Sequence, residues 1–147
     1  MQRNLGLVIA LTGALLGWCG RSLVQEAPSK VAPKDWSFHH LDTVSAERLK
    51  TGRPYRQFIK RDTLTCGLYA LKKGATDGQT PHAMDEVYYV SKGAASFTVG
   101  QGDDAETQKV KTGAVIFVKR GVPHRFKDIS DDLEVLVFFS TAKAKKK

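Results

Sequence analysis

GATDGQTPHAMDEVYYVSKG at residues 74–93 and GAVIFVKRGVPHRFKD at residues 113–128 are the two stretches whose reading decides the fold. Each runs from glycine through a β-branched or aromatic segment, which is strand-and-turn composition. Residues two apart on a strand share a face. Thr80, His82, Glu86, Tyr88 and Val90 therefore share parity, with Pro81 and the turn near Asp85 as interruptions. In the second stretch His124 and Phe126 share a face, and Arg125 points away. A barrel that closes these segments on each other brings two imidazoles and one carboxylate inward. That donor set suits iron(II) and leaves open positions, and manganese, zinc or nickel accept it as well.

The rest of the chain repeats the strand pattern. Candidate strands are 55–60, 64–71, 86–91, 95–99, 107–111, 114–118, 124–126 and 133–139, separated by turn signals such as Lys73-Gly74, Asp77-Gly78, Lys92-Gly93 and Thr112-Gly113. Short strands at this spacing predict an all-β sandwich or barrel, and the lack of long amphipathic helix patterns argues against a parallel α/β fold. One short helix is expected around 44–50, capped by Thr43 or Ser45. VYYV at 87–90, AVIFV at 114–118 and LEVLVFF at 133–139 are apolar on both faces. Such strands need cover on each side. A closed jelly roll supplies part of it, and a homodimer interface is the expected source of the rest.

The spacings of the two stretches resemble the paired motifs of the cupin superfamily. Gly74, His82, Glu86 and Gly93 match the first motif, with Thr80 at the place of its first histidine. Gly113, Gly121 and His124 match the second, with Lys119 for its proline and Asp128 for its asparagine. The resemblance covers roughly residues 55–139. It implies a double-stranded β-helix, that is, a jelly-roll or cupin barrel. It also implies one divalent metal, iron, manganese, zinc or nickel, held by His82, Glu86 and His124. The departure at Thr80 leaves three outcomes open: a three-residue site, a site completed by Gln79 or Thr80, or a metal-free pocket. Tyr88 and Phe126 are the expected pocket-lining aromatics. The superfamily hosts many chemistries, so fold does not fix function.

Length and charge bound the remaining possibilities. The chain has 147 residues, 41% of them hydrophobic and 26% charged, which suits one globular domain. Its net charge is +8, but Lys143, Lys145, Lys146 and Lys147 lie in the last five residues, and removing these four leaves +4. The basic block is thus a terminal appendage, and no nucleic-acid motif accompanies it. Cys19 and Cys66 provide no disulfide framework. Cys66 reads as a small buried hydrophobe. Residues 5–17, LGLVIALTGALLG, follow Arg3 and fall short of the about 20 residues of a membrane span. They read as the apolar part of a secretory signal, with an uncleaved membrane anchor as the alternative.

The expected organisation is a signal or anchor at 1–21, a linker and short helix at 22–53, the barrel at 54–140 and a basic tail at 141–147. The expected function is an exported, secreted or periplasmic cupin with a mononuclear metal site for a small organic substrate. A metal-free, non-catalytic ligand-binding cupin and a structural dimerisation module are the alternatives. Expected partners are a small-molecule ligand and a second copy, without nucleic acid. Membrane contact is expected only through an uncleaved N-terminus.

Overall fold

The structure, a computed structural model, describes residues 35–141. The expected signal segment, most of the linker and nearly all of the basic tail lie outside the described residues. Helix α1 (Leu41–Thr51) precedes eight strands: β1 (Tyr55–Lys60), β2 (Leu64–Leu71), β3 (Glu86–Lys92), β4 (Ala94–Val99), β5 (Glu106–Lys111), β6 (Val115–Val118), β7 (His124–Lys127) and β8 (Leu133–Ser140). A single 3₁₀ turn, Gly102–Asp104, interrupts the β4–β5 connection. Every strand pair is antiparallel. One sheet has the order β1-β2-β8-β3-β6 and the other β5-β4-β7. The arrangement is the expected double-stranded β-helix with a short helix in front.

Strand alternation explains the core. Tyr88 and Val90 of β3 and Leu133, Val135, Val137 and Phe139 of β8 turn inward from the larger sheet. Ala95 and Phe97 of β4 and Phe126 of β7 meet them from the smaller one. Their burial, at roughly 1.5–3 kcal/mol per large side chain, is the main favourable contribution to the barrel. The interior parity of Glu86, Tyr88 and Val90 is the parity read from the sequence, with Tyr89 on the opposite face.

The outward faces keep the two-sided apolar character. Phe117 pairs with Val87, and Val115 with Tyr89. Phe117 and Val115 remain 64% and 69% exposed on β6, which is an edge strand. Cys66 is buried on β2, and burial pushes its thiol pKa up to about 11. This matches a packing role for Cys66 rather than a reactive one.

The helix departs from expectation. It starts at Leu41, with His40 as its N-cap and no side-chain cap at all. Thr43 and Ser45 lie inside it, and the Ser45 hydroxyl donates instead to Glu134 Oε1 of β8 at 2.6 Å. An Arg56–Glu47 ion pair joins the helix to β1, and Val44 is buried. Tertiary contacts with the sheet therefore determine where this helix begins, in place of a local cap.

Two glycines are required by close approach. Gly67 of β2 lies under the ring of Tyr55, where a Cβ would come within 2.3 Å of that ring. Gly93 joins β3 to β4 at φ 86°, and a Cβ there would come within 2.4 Å of the Asp132 carbonyl oxygen. Asp128, at the motif's asparagine position, has φ 46°, a conformation that Asn and Asp tolerate better than other side chains do.

Candidate metal centre

Glu86 is the first residue of β3, and its side chain points into the barrel with 1% exposure. His124 is the first residue of β7 in the facing sheet and is 4% exposed. His82 reaches the same point from the loop before β3. Two bonds secure that loop to the β6–β7 turn: Gly121 N–H donates to the His82 carbonyl at 2.8 Å, and Arg120 N–H donates to Asp85 Oδ1 at 2.9 Å. The two motifs thus hold each other, and their side chains converge as a consequence.

The ligand-type atoms of His82, Glu86 and His124 all lie within 4.8 Å of one another. His82 Nδ1 is 3.0 Å from Glu86 Oε2 and 3.2 Å from Glu86 Oε1. His124 Nε2 is 3.2 Å from Glu86 Oε1. His124 Nδ1 lies 2.8 Å from the Val122 carbonyl. A carbonyl only accepts, so Nδ1 carries a hydrogen, and Nε2 is the ring nitrogen turned toward the cluster.

Tyr88 stands in the middle of this group. Its hydroxyl donates to Glu86 Oε2 at 2.7 Å and lies 2.8 Å from His124 Nε2 and 3.0 Å from Gln79 Oε1. Burial raises its pKa well above the ordinary phenol value, and the bond to Glu86 pushes in the same direction. Gln79 is oriented by Asp77, whose Oδ2 accepts from Gln79 Nε2 at 2.8 Å. A carboxylate accepts only, so the amide oxygen must turn toward Tyr88.

Asp77 went unnoticed in the sequence because it reads as a turn residue before Gly78. It is 4% exposed and also accepts from the Tyr69 hydroxyl at 2.6 Å, Gln79 N–H at 3.0 Å and Phe126 N–H at 2.8 Å. Nothing local to the Asp-Gly pair marks it as interior, since the donors that enclose it beyond Gln79 come from β2 and β7.

Beside the cluster is a cavity of about 490 Å³, lined mainly by Tyr55, Tyr69, Met84, Tyr88, Val137 and Phe139, with Gln79 and His82 among its polar groups. Of the other sequence-predicted residues, Thr80 is exposed and outside this lining. Phe126 is buried behind Tyr88, the two rings meeting edge to face at 5.8 Å. It supports the pocket floor without facing the cavity.

The donor set tests whether a cation suits the cluster. Five lone-pair atoms converge: both Glu86 oxygens, His124 Nε2, Gln79 Oε1 and Tyr88 Oη. The Tyr88 hydroxyl and His82 Nδ1 face the two Glu86 oxygens. A buried carboxylate such as Glu86 is costly unless paired, and a divalent cation among these atoms offsets that cost. The donor types, imidazole and carboxylate, match iron, manganese, zinc or nickel.

Comparison with known proteins gives a consistent picture. The family described as "Cupin domain" matches residues 67–140. An uncharacterized protein of Streptomyces coelicolor is 49% identical over 100 residues, which cover 68% of this chain and 91% of that protein. A Bacillus halodurans protein of known structure superposes with a TM-score of 0.62 at 18% identity, covering 78% of this chain and 86% of its own. A variant oxalate decarboxylase of Bacillus subtilis superposes at 0.54 with 23% identity, over 58% of this chain and 24% of that one. At these identities the two structures speak for the fold alone.

Proposed function

The chain belongs to the cupin family, and we propose that it is a mononuclear metal-binding member that holds a small organic molecule beside its metal. The observation that carries the reading is the convergence of the ligand-type atoms of His82, Glu86 and His124 to within 4.8 Å of one another, around a buried carboxylate. His82, Glu86 and His124 are the ligands. The metal, when bound, supplies Lewis-acid polarisation of an oxygen on the organic molecule. The chain's own residues do the rest. Val122 orients His124 through Nδ1, and the walls of Tyr55, Met84, Val137 and Phe139 favour a molecule with apolar surface. A cavity of about 490 Å³ suits a small organic ligand. The apolar run at 5–17 after Arg3 supports an exported placement.

Metal content of the purified full chain, measured by mass spectrometry after dialysis, tests the reading. About one equivalent of metal per chain is the expected result. No metal after reconstitution with iron, manganese, zinc and nickel would overturn it, and saturable ligand binding in that case would favour a metal-free binding module.

The same proposal includes a homodimer built on the outer face of β3 and β6. Tyr89, Val115 and Phe117 expose apolar surface in adjacent cross-strand pairs there, and among the described residues β6 has an unpaired edge. Phe117→Lys is expected to convert a dimer into a monomer in light scattering. An unchanged oligomeric state would remove this face from consideration.

A further inference from the structure

We propose that the cavity takes a small organic carboxylate, whose acid group pairs with Lys60 while its other end reaches the metal. The inference rests on the metal-site reading above and names the substrate class for that site.

The registers of the larger sheet lay the cavity out. Lys60 of β1 pairs with Thr65 of β2, Thr65 with Phe139 of β8, and Phe139 with Glu86 of β3. One cross-strand row thus carries a lysine at one end and a metal ligand at the other, with a hydroxyl and an aromatic ring between them. Neighbouring strands are about 4.8 Å apart, so three steps separate the backbones of Lys60 and Glu86 by about 14 Å. The next row runs through Gln57, Gly67, Val137 and Tyr88. Lys60, Thr65 and Phe139 of the first row line the cavity, as do Gln57, Val137 and Tyr88 of the second.

A bulge turns Lys60 to this face. Strict alternation along β1 would put Tyr55, Gln57 and Ile59 on one face and Lys60 on the other. The register shifts between Gln57 and Ile59, so Lys60 falls opposite Thr65 and shares the cavity with Tyr55 and Gln57. An extra residue in one strand re-aims the side chains that follow it.

Charge points to the ligand. Lys60 is the one Lys or Arg in the cavity lining, and no Asp or Glu belongs to that lining. Among the described residues no carboxylate pairs with the Lys60 ammonium. Other donors of the wall are committed: the Tyr69 hydroxyl donates to Asp77 Oδ1, and Gln57 Nε2 to the Ile59 carbonyl. An ammonium bonds a carboxylate more strongly than it bonds a neutral oxygen. Met84, Val137 and Phe139 receive the carbon body between the two ends.

The test titrates the metal-loaded full chain calorimetrically with benzoate and terephthalate, and with hexanoate and adipate. Each probe has one acid group for the metal, and only the diacids bring a second to Lys60. At least one diacid is expected to bind about 10-fold more tightly than its monoacid. Lys60→Met should bring the two affinities together, and Lys60→Arg should keep them apart. Lys111→Met removes the same charge from β5 of the other sheet and should leave the preference unchanged. Equal affinities in wild type for both pairs, a preference that survives Lys60→Met, or no binding of any probe overturns the inference. Any of these beside one equivalent of metal leaves the metal site intact. Failure of wild type to bind metal sinks both readings, and metal content measured on the same sample identifies that case.

Discussion

His124→Ala is expected to abolish stoichiometric metal while the barrel persists. The His124 side chain is fully buried, and Nε2 is its only ring nitrogen facing the cluster, because Nδ1 is committed to the Val122 carbonyl. No other imidazole replaces it. His82 is already used, His39 lies against Phe58 and Ser37, and His40 is the N-cap residue of α1. Loss of a group that only hydrogen-bonds to a ligand costs about 10–100-fold in metal affinity, so loss of a ligand should exceed that range. The barrel itself depends on the aromatic and aliphatic core of both sheets, to which one truncated imidazole is a minor loss. The check is metal content after dialysis together with far-ultraviolet circular dichroism. Wild-type metal content in a folded variant would remove His124 from the ligand set.

Gly93→Ala is expected to produce the largest loss of stability among the turn glycines. Two costs coincide there. The backbone has φ 86°, where an L side chain is strained, and the new Cβ would come within 2.4 Å of a backbone oxygen, which cannot move aside as a flexible side chain can. The Gly93 carbonyl also accepts from Thr112 N–H at 3.0 Å, so the turn is held against the β5–β6 connection as well. Strain and overpacking together should cost about 3 kcal/mol. That corresponds to a fall in Tm of roughly 10 °C or more. Gly113→Ala is the control. Its φ is 95°, but nothing lies within 4 Å of the added Cβ, so it should lose only the strain contribution of about 1–2 kcal/mol. Denaturation curves for the two variants decide the matter, and equal losses would mean that the contact with Asp132 is unimportant.

Gly93 closes the first motif and Gly113 opens the second, and sequence alone treats the two glycines alike. The crowding that separates them comes from Asp132, a residue remote in the chain. The candidate site shows the same division. His82, Glu86 and His124 were legible because strand parity and motif spacing are properties of short segments. Tyr88 was legible as a pocket residue by parity, but not as the centre of a hydrogen-bond cluster, since its partners arrive from Gln79, Glu86 and His124 together.

By itself the sequence determined the order and approximate limits of eight strands, their inward faces, and the three residues able to hold a metal. These follow from side-chain alternation along a pleated backbone and from turn residues, both local effects. Tertiary structure alone decided that Asp77 is buried, that Thr80 lies outside the cavity and that Phe126 sits behind Tyr88. It also decided that α1 begins at Leu41 without a side-chain cap. Each of these depends on closure of the two sheets, which alone determines which polar atoms lose water and which donors reach them.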